Sequence, residues 1–209
     1  MARLLLVRHG ETVRNADNVY RGRSDVPLSP NGLMQAQSLG RRLSSEGITA
    51  IYSSPLVRAS ETAAAIGRMT GVEPVPDEDL TDLDCGEWEG LSDVEVRAQY
   101  PEIRAVWLAS PHLVRLPEGE SLDDVRARVQ RVLDRVRCGE GGVVLVSHRV
   151  VHKVAVCALL GLGNERFWDI RMDLAALTEF ECSHRRCVLV RHNDTAHLHG
   201  TEAGDAAYS

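Results

Sequence analysis

The sequence predicts an α/β sandwich in which helices cover a mixed sheet. Three observations support this fold class. An aliphatic run opens the chain, helical patterns separate it from two similar runs, and two strand-like segments lie next to each other near the end. Alternating strands and helices favour parallel strands, whereas two neighbouring strands favour an antiparallel pair.

The first elements are an aliphatic strand and a helix with clear boundaries. Ser29 and Pro30 are typical of a helix N-cap and first position, and Gly47 follows the last turn. Apolar residues between Leu33 and Leu43 recur on one face of this helix. The strands are expected near residues 3–7, 50–53, 143–147, 174–182 and 187–190.

Three further helices follow from the same signals. One is expected over residues 56–69. Ser121 and Asp124 have the spacing of a capping box and open a second, which carries apolar residues at helical intervals. A third, over residues 150–160, is apolar nearly all round and is therefore expected to be buried.

Composition bounds the class of protein. The 209 residues are 44% hydrophobic and 26% charged, show no repeat or linker, and fit one domain. A net charge of -6 weighs against nucleic-acid binding. No run approaches the roughly 18 apolar residues of a membrane span, and residues 1–10 are too short for a signal peptide. We expect a cytoplasmic protein that binds neither nucleic acid nor membrane.

The cysteines indicate the same compartment. There are five of them, an odd number without a disulfide framework, which suits a reducing environment. Cys182, His184 and Cys187 lie in a strand-like segment with no second ligand pair nearby, so we predict no metal site there.

Charged side chains follow three predicted strands. Arg8 and His9 come directly after the first strand, Arg58 follows the second, and His148 and Arg149 follow the third. Ligands of α/β sheets bind beyond the carboxyl ends of the strands, so these groups are expected to meet at one edge.

This residue set suits phosphoryl transfer. Guanidinium groups match the charge and geometry of phosphoryl oxygens, and a neutral imidazole nitrogen attacks phosphorus. The chain contains neither a P-loop motif nor a G-x-S-x-G elbow, so two competing devices are excluded.

Several motifs resemble a known family. The stretches are "LVRHGET" followed by Asn15, "DVPLSPNGLMQAQSLGRRL", "YSSPLVRASETA", "LDCGEWEG", "PEGES" and "VLVSH". Together they resemble the histidine phosphatase superfamily, which has the phosphoglycerate mutase-like fold. The resemblance spans nearly the whole chain and implies a three-layer α/β/α sandwich with a mostly parallel sheet. It also implies an enzyme that needs no metal or cofactor.

The resemblance assigns roles to individual residues. His9 is the nucleophile that forms a phosphohistidine, and Arg8 and Arg58 clamp the phosphoryl group. His148 donates a hydrogen bond to the same oxygens, and Asn15 helps to line the phosphate pocket. Neighbouring guanidinium groups are expected to keep His9 neutral.

The general acid departs from the family pattern. Leu80-Thr81-Asp82 carries aspartate where the family usually has glutamate. We therefore predict Asp82 as the acid, with Glu78 and Glu87 as the alternatives and a loop-capping role for Asp82 left open.

Arginines also stand where the family has other residues. Arg149 follows His148, and it either faces the pocket or starts a helix on the outside. Arg21, next to Gly22, occupies a loop where the family has a smaller polar residue. We assign Arg21, Gly22 and Arg149 to substrate binding. They suit a phosphate ester with a second anionic group.

The resemblance is strongest to the phosphatase branch, because "LDCGEWEG" replaces the mutase sequence E-R-H-Y-G. We expect a phosphomonoesterase. A cofactor-dependent phosphoglycerate mutase is the first alternative, and a weakly active or inactive phosphate-binding module is the second. One domain over residues 1–198 is predicted, with a substrate-selecting lid near 94–118 and a frayed tail over 199–209. A homodimer is compatible with this reading.

Overall fold

The computed structural model describes residues 2–13, 19–137, 141–183 and 186–198. Within these ranges it contains six strands and six α-helices. The strands are β1 (Ala2–Arg8), β2 (Ile48–Ser53), β3 (Pro74–Pro76), β4 (Gly142–Ser147), β5 (Leu177–Cys182) and β6 (Cys187–Asp194). The helices are α1 (Pro30–Leu43), α2 (Val57–Thr70), α3 (Asp93–Gln99), α4 (Pro101–Ala109), α5 (Leu122–Val136) and α6 (Arg149–Leu159).

The strands form one mixed sheet in the order β3-β2-β4-β1-β5-β6. Strands β1 to β4 pair in parallel, and β5 and β6 extend the β1 edge as an antiparallel pair. The predicted mostly parallel sheet is confirmed. Strand β3 was not predicted because it begins and ends with proline, which only an edge strand tolerates.

Helices cover both faces of the sheet because β1 alternates its side chains. Leu4 and Leu6 pack in the core beneath α5 and α6. Leu5 and Val7 pack in the core beneath α1 and α2. The three-layer sandwich is therefore confirmed, and β1 runs through its centre with Arg8 at the carboxyl end.

Side-chain caps begin two of the predicted helices. The Ser29 hydroxyl accepts a hydrogen bond from the Gly32 amide at the start of α1. Ser121 and Asp124 form the predicted capping box at the start of α5. Helices α3 and α4 lie in the predicted lid segment, where the sequence showed no readable helical period.

The cysteines differ from the expectation of reduced thiols. Cys182 and Cys187 face each other across the β5–β6 hairpin and form a disulfide. The antiparallel register brings their Cα atoms to 4.1 Å, a separation that the sequence spacing alone did not reveal. Cys138, His184 and the predicted tail lie outside the described residues. No helix in the described ranges is long and apolar enough to cross a membrane.

Candidate active site

The ends of three neighbouring strands place the predicted residues together. His9 follows β1, His148 lies between β4 and α6, and Arg58 is the second residue of the helix after β2. Because β2, β4 and β1 are adjacent in the sheet, these side chains meet at one edge. The imidazole centroids of His9 and His148 are 5.2 Å apart.

The His9 ring is held by its own turn. Its Nδ1 lies 2.7 Å from the Gly10 carbonyl oxygen. A carbonyl only accepts, so Nδ1 carries the proton and Nε2 keeps its lone pair. The backbone of His9 donates to the Ser147 carbonyl and accepts from the Ala175 amide. Nε2 is thus the ring nitrogen with nucleophilic capacity.

The turn after His9 packs tightly against the start of α1. A side chain at Gly10 would place its Cβ 2.7 Å from the Gly32 carbonyl oxygen, so only glycine fits. The Glu11 carboxylate accepts hydrogen bonds from Ser29 and Asn31. These contacts fix the direction in which His9 leaves β1.

Both nitrogens of His148 have partners. Arg58 Nε donates to Nδ1 at 3.2 Å. Nδ1 is therefore the acceptor, and Nε2–H donates to the Ser54 hydroxyl at 2.8 Å. No role is predicted for Ser54 from the sequence, although its place directly after β2 and before Pro55 is a usable signal.

Arg58 is only 1% exposed, and almost all N–H groups of its guanidinium donate hydrogen bonds, as burial requires. Besides His148, it donates to the carbonyls of Ser24 at 2.8 Å and Gly22 at 3.0 Å. Its Nη2 also lies 3.2 Å from Asp82 Oδ2. Gly22 therefore reaches the site through its carbonyl, and its positive φ of 50° explains why glycine stands there.

Of the three candidate acids, the structure brings Asp82 to the site. Its Oδ2 lies 3.5 Å from His148 Nδ1, and its Oδ1 accepts from the Leu83 amide. Glu87 is exposed and accepts from the Tyr100 hydroxyl. Glu78 is also exposed and lies beside the Thr81 hydroxyl.

Arg8 lies at the end of β1 among charged groups of both signs. Its Nη1 donates to the Met172 carbonyl at 2.6 Å, and its buried Nε has no hydrogen-bond partner among the described residues. Burial, followed by the charge of Arg149, lowers the pKa of Arg8 to about 9, while the carboxylates of Asp82 and Asp173 oppose this shift. Arg21 contributes the smallest of the lowering effects.

Lys153 is a residue that the sequence analysis did not assign. It lies one turn after Arg149 on α6 and is 6% exposed. Its ammonium is 4.7 Å from the centroids of both Phe167 and Trp168. Burial, followed by the charges of Arg149 and Arg8, lowers its pKa to about 7. In the sequence, a lysine within an almost wholly apolar helix was the observation that could have indicated this buried residue.

The two site histidines are held neutral. Burial lowers the pKa of His9 well below its ordinary value, and Arg58 adds to the effect. The same two causes, in the same order, lower the pKa of His148. The sequence analysis attributed this to the guanidinium groups, but burial is the larger cause. Asn15 lies outside the described residues.

Buried histidines make stability dependent on pH. Burial lowers the pKa of His152, whose ring donates to the Val7 carbonyl, to about 4. In the unfolded chain the histidine has its ordinary pKa of about 6.5. Below that pH the unfolded chain binds a proton at this residue and the folded chain does not, so protonation favours unfolding. We therefore expect the free energy of unfolding to fall by about 3 kcal/mol through His152 alone between pH 6.5 and 4.

Urea unfolding at several pH values from 7 to 4 measures this dependence. His152→Gln is the control, and its stability should decline less steeply. A wild-type free energy that stays flat over this interval would contradict the prediction.

The geometry can now be compared with known proteins. The family model of the histidine phosphatase superfamily (branch 1) matches residues 4–195. The chain belongs to this superfamily. Phosphoserine phosphatase 1 of Hydrogenobacter thermophilus is 38% identical over 200 residues, which are 95% of each chain. A probable phosphoglycerate mutase of Yersinia enterocolitica is 32% identical over 205 residues, again 95% of each chain.

A solved structure agrees with this family assignment. The mycobacterial glucosyl-3-phosphoglycerate phosphatase superposes with a TM-score of 0.84 and is 28% identical, covering 92% of this chain and 99% of that one. This member of the histidine phosphatase superfamily is therefore an enzyme. Several of its relatives are named phosphatases, and a phosphohistidine intermediate is general to the superfamily. These relatives favour an enzyme over the weakly active or inactive phosphate-binding module.

Proposed function

We propose that the protein is a phosphomonoesterase in which His9 Nε2 is the nucleophile. The observation that carries this proposal is the hydrogen bond from His9 Nδ1 to the Gly10 carbonyl, which leaves the lone pair on Nε2. Burial supports the neutral ring that attack on phosphorus requires. The nitrogen forms a bond to phosphorus as the ester P–O bond breaks.

The remaining residues act on charge and protons. Arg8 and Asn15 bind the phosphoryl oxygens, and Arg58 adds its remaining Nη1–H. His148 Nε2–H turns from the Ser54 hydroxyl to a phosphoryl oxygen when the substrate binds. Asp82 gives its proton to the leaving oxygen, which departs as an alcohol. Water then attacks the phosphohistidine, and Asp82 takes the proton of that water. Inorganic phosphate leaves, and His9 and Asp82 return to their starting states. No residue in this cycle requires a metal ion.

The substrate we propose is a small phosphate ester that also carries a carboxylate. Arg149, Arg21 and Lys153 add positive charge near Arg8, which Asp82 and Asp173 offset only in part, and this charge suits a second anionic group on the substrate. Phosphoserine, phosphoglycerate and glucosyl-3-phosphoglycerate, which name the three relatives, are all phosphorylated carboxylic acids. The lid over residues 94–118 would select among such esters.

A phosphatase assay in excess chelator tests this function. The panel contains phosphoserine, phosphoglycerate, glycerol phosphate, a sugar phosphate, a nucleotide and an aryl phosphate. We expect phosphate release that persists in chelator, requires His9 and is fastest with the carboxylates. Release that stops in chelator, or that persists without His9, would overturn the proposed chemistry.

Arg149→Met should lower kcat/KM selectively. We expect about a 10- to 100-fold loss for phosphorylated carboxylic acids, because a charge-assisted hydrogen bond contributes about 1.5–3 kcal/mol. Glycerol phosphate should change much less. The matched control is Arg166→Met, which removes an exposed arginine that pairs with Asp169. Equal losses for both substrate types would exclude Arg149 from carboxylate binding.

The phosphoglycerate mutase relative supports one second candidate, isomerisation of phosphoglycerate. Supplying a bisphosphate primer and following the two phosphoglycerate isomers distinguishes it, because a mutase moves phosphate without net release. We further propose one domain over residues 1–198, a cytoplasmic location and a homodimer. Light scattering tests the dimer, and thiol titration of protein from cells tests whether Cys182 and Cys187 are reduced there.

A further inference from the structure

Arg128 lies on the face of α5 that packs into the core. The neighbouring positions Val125 and Val132 on this face are buried aliphatic residues, as the helical spacing requires. Arg128 itself is only 7% exposed. Burying a guanidinium among aliphatic side chains costs free energy unless its N–H groups form hydrogen bonds. The hydrogen-bond partners of Arg128 therefore indicate which part of the protein it stabilises.

Those partners belong to the loop that carries Asp82. Nη1 donates to the carbonyls of Asp79 at 2.9 Å and Thr81 at 2.5 Å. Nη2 donates to the carbonyl of Asp82 itself at 3.1 Å. The Glu120 carboxylate accepts from Nε and Nη2, both at 3.1 Å, and neutralises the charge.

A second side chain completes the attachment. The Ser147 hydroxyl, at the end of β4, donates to the Leu80 carbonyl at 2.6 Å. Four successive carbonyls, from Asp79 to Asp82, therefore accept from side chains rather than from a neighbouring strand. Ser147 directly precedes His148, so the loop is fixed relative to the catalytic edge.

This attachment matters because aspartate has a short side chain. Its carboxyl is only two torsions from the backbone, so the position of the loop determines the position of the carboxyl. A displacement of about 1 Å in a catalytic group can cost about 100-fold in rate. A longer glutamate would compensate for loop movement by changing its rotamer, whereas Asp82 has little such freedom.

We propose that Arg128 is a positioning residue for Asp82, acting through the three loop carbonyls that it binds. This inference rests on the proposed function, in which Asp82 is the general acid. Arg128 does not touch the substrate. Its effect should therefore appear only where the reaction depends on protonation of the leaving group.

Arg128→Lys tests the proposal while retaining the charge beside Glu120. Lysine offers three N–H donors in place of five, so the carbonyls cannot all remain bound. We expect kcat to fall about 100-fold for glycerol phosphate and less than about tenfold for an aryl phosphate. The matched control is Arg131→Met on the same helix, an exposed arginine that binds only the Asp79 side chain of this loop.

A double-mutant cycle with Asp82→Asn separates positioning from a merely structural role. If Arg128 acts through Asp82, adding Arg128→Lys to the Asp82→Asn protein should cause little further loss of activity with glycerol phosphate. Fully additive losses, or equal losses with both substrates, would overturn the inference alone. If Asp82→Asn itself leaves glycerol phosphate hydrolysis unchanged, the proposed acid fails and the positioning role fails with it. Ser147→Ala provides the same comparison should Arg128→Lys not fold, and the same additive result would overturn the inference.

Discussion

Alanine in place of His9 should lower kcat for every phosphate ester by a factor of roughly 10⁴ or more. The remaining groups would still bind the phosphoryl group. Among the residues that the structure describes, however, no other side-chain nitrogen occupies the place of His9 Nε2. Rapid quenching with labelled substrate should trap an acid-labile phosphoryl-enzyme in the wild-type protein and none in the variant. The substrate KM should change far less than kcat.

Two comparisons make this result specific. His112→Ala, in the short helix Pro111–Leu113, should retain both activity and the trapped phosphoryl group. Thermal unfolding of the His9→Ala protein should show that it remains folded. A folded His9→Ala protein that still accumulates phosphoryl-enzyme would move the nucleophile to another residue.

The second large effect concerns Asp82→Asn. Asparagine preserves the size of the side chain but cannot supply a proton. We expect kcat/KM for glycerol phosphate to fall by roughly 10²- to 10³-fold, because its alkoxide leaves poorly without a proton. Para-nitrophenyl phosphate, whose leaving group is stable as an anion, should lose less than about tenfold. The ratio of the two rates is the measurement.

The two other acidic candidates supply matched controls. Glu87→Gln and Glu78→Gln remove exposed carboxylates that lie beside Tyr100 and Thr81. Both variants should hydrolyse the two esters in the wild-type ratio. Equal slowing of both esters by Asp82→Asn would reduce Asp82 to an electrostatic partner of Arg58 and would move the search for the acid elsewhere.

The features predictable from the sequence are those determined locally. The aliphatic run before Arg8 specifies a buried strand, and the serines at 29 and 121 specify helix starts. The mostly parallel orientation of the strands then follows from the rule that parallel strands are joined by covering helices. The convergence of His9, Arg58 and His148 was predictable for the same reason.

The features that could not be predicted depend on contacts between distant segments. Arg128 and Ser147 hold the loop that brings Asp82, rather than Glu78 or Glu87, to the site, and these partners lie 46 and 67 positions away from their acceptors. The hairpin register that pairs Cys182 with Cys187 is likewise a property of two strands together. The buried position of Arg128 was partly visible in the sequence, because it places a charge on an otherwise apolar helix face.

Helices α3 and α4 belong to the segment that we propose as a lid. Val96 is the buried residue of α3, and Trp107 is the buried residue of α4. Among the described residues, no side chain of either helix hydrogen-bonds to the imidazole of His9 or His148. Substitutions at the exposed positions of these helices are therefore expected to leave the phosphoryl chemistry undisturbed. Under the proposed lid role, new substrate preferences would arise in this segment while the inherited reaction is kept, and exchanging it between relatives would be a route to redesigning the enzyme.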